Sequence, residues 1–356
     1  MYRKQCVPLA LALTATAVAL TGTPASARPT ITVASGGSIQ QALNRAPAGA
    51  TVVVRAGHYR ESLTITKSVS LTARRGVVLT PPATAPENAC TQDPDAHGAM
   101  PGLCVVGTPA DPTQEGSGIA KVVHNVHLSG FNVSGFPAGA VEVYGARHVT
   151  IAGLNAHGNH ADAIFLSHSR YIHVSHLTAR HNQGRGVAVQ EQVSGFSITK
   201  SNIAANRGEG IFVGDSTHGT ITDNHLTHNC VGILLVDLGV PGQQGASRIR
   251  VAHNTVDANN RLCPGGDAPS ESGNGIILVG ARHASVSHNK VRRNHGAHSV
   301  QVGFGGIAVL DAGHFTGGSA PIGNRIDHNV IRHNTPNLTY DHSGHGNTFA
   351  HNRVGG

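Results

Sequence analysis

The chain has 356 residues, enough for one large domain or two small ones. Only 13% are charged, 45 are Gly and none is Trp, which excludes a long coiled coil and a charged disordered tail; Gly follows no three-residue period, which excludes collagen. The net charge is +7 with His neutral, and aromatics are 4% with basic residues scattered, so nothing points to a nucleic-acid partner.

Arg3 and Lys4 precede an apolar run from Val7 to Leu20, and Ala25-Ser26-Ala27 supplies small residues at the cleavage spacing. This pattern predicts a secretory signal peptide over 1–27, too short to span a membrane, and therefore a secreted chain. Cleavage removes two positive charges and leaves a net +5, a mild attraction for acidic partners such as uronate polysaccharides. No other membrane span is expected, and the protein is expected to be a monomer.

Ser38 stands as N-cap before Ile39-Gln40-Gln41-Ala42-Leu43-Asn44-Arg45-Ala46, whose apolar residues recur at helical spacing. This predicts a short capping α-helix, followed by strands at 51–55, 63–66 and 69–71. The expected organisation is one domain over 28–356: cap and first coils at 28–80, a disulfide-closed loop at 81–120, and repeat coils at 121–356. The tail from Pro336 is expected to close the far end. Without Cys6, four Cys remain: Cys90, Cys104, Cys230 and Cys263. An even count in an exported chain reads as two disulfides. Three pairings are open, of which Cys90–Cys104 and Cys230–Cys263 would close one loop and link neighbouring repeats; no CxxC spacing suggests a metal.

The dominant signal is a repeat of about 23 residues, apolar-x-x-[N/S]-x-apolar, a period that marks a solenoid. It runs from VHLSGF at Val126 to FAHNRV at Phe349. Its fourth position gives the column Ser129, Ala152, Ser175, Ser201, Asn224, Asn254, Asn289, Asn329, Asn352. A second column follows five residues later at Asn206, Asn229, Asn259, Asn294 and Asn334. Asn tolerates left-handed backbone and hydrogen-bonds to its own kind, so both columns predict turns stacked coil on coil. Each repeat also carries [G/A]-[I/V]-x-[L/V], as in Gly210-Ile211-Phe212-Val213, with aliphatics alternating inward. Three short strands per turn, each pairing with its counterpart in the next coil, give an all-β parallel β-helix of about 10–12 turns.

SIQQALNRA followed by PAGATVVVRAGHYRESLTITKSVSLT resembles the opening of secreted right-handed parallel β-helix proteins of the pectate-lyase-like superfamily. GIFVGDS, NCVGILLVD and NGIILVGA look like the exported repeat proteins of its actinobacterial branch. The resemblance implies a right-handed helix over the whole mature chain and leaves the reaction open, because the superfamily holds lyases, hydrolases, epimerases, adhesins and metal-handling accessory proteins. Gly344-His345-Gly346 matches one polygalacturonase string, but no Asn-Thr-Asp or Asp-Asp accompanies it. The Asp-Pro-His-Asp of alginate epimerases and the Trp-containing strings of pectate lyases are absent too.

Four residues after each strand Ile/Val lies the column Gly145, His168, Glu191, Asp215, Asp237, Gly280, Asp311. Glu191, Asp215 and Asp237 fall on consecutive coils about 4.8 Å apart, where like charges raise one another's pKa unless a cation intervenes. That spacing suits Ca²⁺ or acid–base work, against the plainer reading of turn chemistry. Two residues before the strands, Asp162, Arg185 and Glu209 alternate in sign as a salt-bridge ladder. The expected catalytic set is Glu191, Asp215, Asp237 and Arg185, with Tyr144, His168, Asp162 and Asp311 contacting substrate. Outward positions change from Glu142 and Tyr144 in early coils to Leu234, Val236, Ile277 and Val279 in later ones. The insertions at 239–246, 261–273 and 295–305 are expected to cover this apolar stripe, leaving a groove over the early coils. His253, His288 and His328, with His351, precede the ladder Asn and would present stacked imidazoles to Cu²⁺ or Zn²⁺. The functional expectation is a secreted protein that binds or cleaves an acidic polysaccharide by lyase or hydrolase chemistry. The alternatives are a non-catalytic glycan- or metal-binding scaffold and an adhesion module that uses the apolar stripe.

Overall fold

The computed structural model describes residues 28–92, 100–111, 118–263, 270–296 and 303–355. The expected signal peptide and Cys6 lie outside the described residues. The chain winds into a right-handed parallel β-helix with three long parallel sheets of 12, 11 and 10 strands. A two-stranded antiparallel ribbon, Thr108–Pro109 against Ile119–Lys121, sits outside them.

The stacking follows from the repeat. Val141, Ile164, Val187, Ile211, Ile233, Ile276 and Ile307 lie in register on successive coils, and all are fully buried. Gly precedes many of these aliphatics because the next coil passes close. A Cβ on Gly210 would stand 2.6 Å from the Gly232 carbonyl oxygen and 2.8 Å from Leu226 Cδ2, closer than a side chain can sit.

At the N-terminal end the helix Ile39–Arg45 closes the core with Ile39, Ala42 and Leu43, and Ser38 accepts from the Gln41 N–H at 3.2 Å. Glu61 completes this cap: its carboxylate accepts from the Ile39 and Gln40 N–H groups at 2.8 and 2.9 Å and from the Ser38 hydroxyl at 2.8 Å. A carboxylate at a helix N-terminus is favoured by the helix dipole. The C-terminal tail forms no separate cap. Leu338–Tyr340, Thr348–Ala350 and Arg353–Gly355 each add the last strand to one sheet.

The Asn ladders are continuous and buried. In the second, each side-chain oxygen accepts from the main-chain and side-chain N–H groups of the coil before, from Asn159 through Asn182, Asn206, Asn229, Asn259 and Asn294 to Asn334. It therefore starts two coils earlier than the repeat pattern indicates. The first ladder needs a correction of register. Ser201 stacks on Leu177, Leu154 and Phe131, whereas Ser129, Ala152 and Ser175 stack with Thr199 and Thr222. The corner holds a large apolar side chain in early coils and an amide in later ones. Either fills the space, and the amide replaces core contact with hydrogen bonds.

Both disulfides form: Cys90–Cys104 and Cys230–Cys263. Among the described residues, no helix is long and apolar enough to cross a membrane.

Candidate functional site

The ten-stranded sheet carries every predicted site column except the His stack. Its outward face is divided. Over the early coils, Tyr144 is 2% exposed and packs with the Cys90–Cys104 disulfide, Val106 and Ile119, so the expected open groove is filled there. Tyr144 also meets the His168 ring edge-on at 5.2 Å.

Over the later coils the apolar stripe is not simply sealed; Glu271 and Phe304 from two of the insertions, with Leu238, Phe315 and Thr316 from outside them, wall a cavity of about 250 Å³ above it. Phe212, Leu234, Val236, Ile277 and Val279 form the floor, and Leu238, Phe304, Phe315 and Thr316 the sides. The adhesion surface expected there is thus withdrawn from solvent. The apolar residues recur because the strand alternation points every second side chain outward. Cys230–Cys263 ties Cys263, and through their main-chain bridge Glu271, to the coil beneath.

One end of the cavity is charged and holds Arg185, Glu209 and Glu271. Arg185 Nε lies 3.0 Å from a Glu209 oxygen and its Nη1 lies 3.8 Å from Asp162, whose carboxylate also accepts the Arg185 main-chain N–H. The guanidinium lies over the Phe212 ring, 4.2 Å from the centroid, a cation–π contact. Burial works against the Arg185 charge, but Glu209 and Asp162 outweigh it and hold the proton more tightly than usual. Glu271 meets the reverse situation. Burial, with Glu209 adding repulsion and Arg185 only partly offsetting it, pushes its carboxyl up to about 7.

The predicted acidic column does not gather into one cleft. Glu191 is partly exposed, with an oxygen 3.6 Å from His168 Nδ1. Asp215 and Asp237 are buried beneath loops, 4% and 5% exposed. Asp215 accepts the Leu238 N–H at 3.0 Å; burial raises its pKa, the amide opposes and Asp237 adds to the rise. Asp237 accepts from Gly239 and Ser319, each at 3.0 Å, and so pins the 316–319 turn. Asp311 N-caps the turn Ala312–His314 through the Gly313 N–H. These three carboxylates hold loops in place, the plainer reading of the column.

The metal expectations fare similarly. His253, His288, His328 and His351 do stack, with ring centroids 5.1, 5.2 and 4.8 Å apart, and Asp327 bonds His328 at 2.8 Å. Rings stacked face to face direct their nitrogens in parallel rather than at one point. Each Asp237 oxygen accepts one main-chain amide. Among the described residues no three His, Cys, Asp or Glu side chains gather as metal ligands.

Of the expected site residues Arg185 thus reaches the cavity, with Asp162 held against it from behind. Glu209 was legible in the same ladder but not as a site residue. Glu271 was missed, because it lies in an insertion that interrupts the period; its one signal was an acid in a segment closed by Cys263.

Residues 123–320 match the family model described as right handed beta helix region. Among solved structures the chain is similar to the Azotobacter vinelandii mannuronan C-5 epimerase AlgE4 A-module, at TM-score 0.56 and 14% identity, covering 89% of this chain and 90% of that one. It is also similar to the periplasmic alginate epimerase AlgG, at TM-score 0.57 and 10% identity, covering 91% and 83%. A third likeness is to a Yersinia enterocolitica family 28 exopolygalacturonase, at TM-score 0.55 and 11% identity, covering 92% and 78%. At these identities the likeness is one of fold. No curated protein sequence matches the chain.

Proposed function

We propose, from the premise that this chain belongs to the right-handed β-helix family, that it is an exported protein acting on an extracellular polysaccharide through acid–base cleavage at the Arg185–Glu209–Glu271 end of the cavity. The observation that carries this reading is a pair of carboxyls in different environments. Glu209 is ion-paired with Arg185, whereas Glu271 is kept protonated up to about pH 7. Such divergence separates a proton donor from an anionic partner. Glu271 gives its proton to the glycosidic oxygen as the C–O bond breaks. Glu209, ion-paired with Arg185, faces the positive charge that develops at the anomeric carbon; water then bonds to that carbon and its proton returns to the Glu271 carboxylate, leaving a new reducing end. Asp162 positions Arg185, and the His168–Glu191 pair supplies polar contacts for sugar hydroxyls further along the same coils. The neighbours of like fold include proteins named for alginate and polygalacturonate chemistry. Two disulfides accord with an oxidising, extracytoplasmic setting.

A panel of uronate and neutral polysaccharides, followed for reducing ends and for unsaturated product at about 235 nm, tests this. Reducing ends that vanish with Glu271→Gln support hydrolysis, and unsaturated product indicates a lyase. Silence across the panel leaves the second reading, a non-catalytic glycan-binding scaffold, which is favoured by the use of Asp215 and Asp237 as loop anchors.

A further inference from the structure

Away from its charged end the cavity offers apolar surface that a sugar ring does not use. Its floor and sides are apolar, with Leu234, Val236, Ile277 and Val279 below and two mutually edge-on rings, Phe304 and Phe315, 5.8 Å apart beside them. A dry apolar cavity of about 150 Å³ already accepts benzene in another protein. This one, at about 250 Å³, has room for a larger hydrocarbon body.

Its polar end is not neutral. Asp162, Glu209 and Glu271 stand against one guanidinium, and Arg185 is already paired by two of them. The charges that act on Glu271 are Glu209 and Arg185. A ligand anion would meet surplus carboxylate and a guanidinium with both partners in place. A ligand cation would supply the missing positive charge, and hydrogen bonds between charged groups are the strong kind. An ammonium beside Glu271 would also favour ionised carboxylate, so binding should release a proton below pH 7.

We propose that this cavity binds a small amphiphilic cation, an ammonium group on an apolar body of roughly six to ten carbons, with the ammonium between Glu209 and Glu271 and the body on the Leu234–Val236–Ile277–Val279 floor. This goes beyond the polysaccharide reading. It requires no turnover and stands if every glycan is left intact.

Three compounds with one hexyl chain test it by calorimetry on the intact protein at pH 8: hexylammonium, hexanol and hexanoate. Hexylammonium should bind at least about tenfold tighter than hexanol, the gain expected of a charged hydrogen bond, and hexanoate should be weakest. Glu209→Gln should remove most of the ammonium advantage and leave hexanol unchanged. Val279→Phe should fill the cavity and abolish all three; if that variant melts early, displacement of an apolar fluorescent dye from the wild-type protein by hexylammonium replaces it. Hexanoate binding as tightly as hexylammonium would overturn the charge argument. No heat and no dye displacement with millimolar ligand on folded protein would overturn the site.

Discussion

Cys263 and Glu271 are locked to each other through their main chains: the Cys263 N–H donates to the Glu271 carbonyl at 2.9 Å and the Glu271 N–H donates back at 3.1 Å. Cys263 is in turn bonded to Cys230, at the foot of the strand Val231–Val236 that supplies the cavity floor. A covalent staple thus fixes Glu271, whose carboxyl is pushed up to about 7, over the apolar face.

Replacing both cysteines by Ser should therefore act twice. The staple closes a 33-residue span, worth about 3–4 kcal/mol by chain entropy, and a urea midpoint should fall accordingly. At a pH where the variant stays folded, the Glu271 pKa read by carbon NMR should drop towards the ordinary carboxyl range as the segment gains water. An unchanged pKa would mean that the ladder contacts alone hold Glu271.

The pH response carries a definite sign. Folded Glu271 keeps a proton that the unfolded chain gives up between about 4.5 and 7, so its contribution to stability is full below that window and is lost as pH rises through it. Wild type should lose more stability than Glu271→Gln between pH 5 and pH 8 by urea titration. Glu209→Gln should lower the Glu271 pKa and Arg185→Ala should raise it, since these are the charges acting on it.

The Asn ladder predicts a gradient along the axis. Asn229 accepts from the Asn206 N–H and Nδ2, both at 3.1 Å, and donates to the Ile203 carbonyl at 3.1 Å, all fully buried. Asn229→Ala strands these groups, at a cost of about 3–5 kcal/mol. Asn352 makes the same contacts at the partly exposed end, where water substitutes, and its truncation should cost only about 1 kcal/mol in the same denaturation assay.

Asp237 separates anchoring from chemistry. Asp237→Asn loses an acceptor for the Gly239 or Ser319 amide, and the midpoint should fall by about 1–2 kcal/mol. Cleavage of any polysaccharide turned over should fall by less than tenfold, well short of the roughly 10²–10⁴ expected for removal of a general acid or base. A loss in that larger range with the fold intact would make Asp237 a participant in the reaction.

Sequence and structure agree wherever the chain repeats. Gly before each inward aliphatic, Asn at fixed intervals and an amphipathic opening helix are local consequences of stacking, so each is readable from spacing alone. The register slip between Ser175 and Ser201 marks where that legibility weakens: Leu177 and Ser201 fill the same corner by different physics, so a polar residue sought by type lands two positions away. Glu191, Asp215 and Asp237, each four residues after a strand Ile/Val, do follow the period. Whether each faced solvent or a loop depended on insertions whose path no period describes.

By itself the sequence determined the coil, its handed-down alternation of inward and outward residues, and the apolar character of the later face, because each depends on neighbours a fixed number of residues away. Only the tertiary structure decided that Glu271 lies over that face beside Arg185 and Glu209, and that Asp215 and Asp237 are spent on holding turns. Those outcomes rest on burial and on charges brought together from separate coils, and neither quantity exists until the chain has closed on itself.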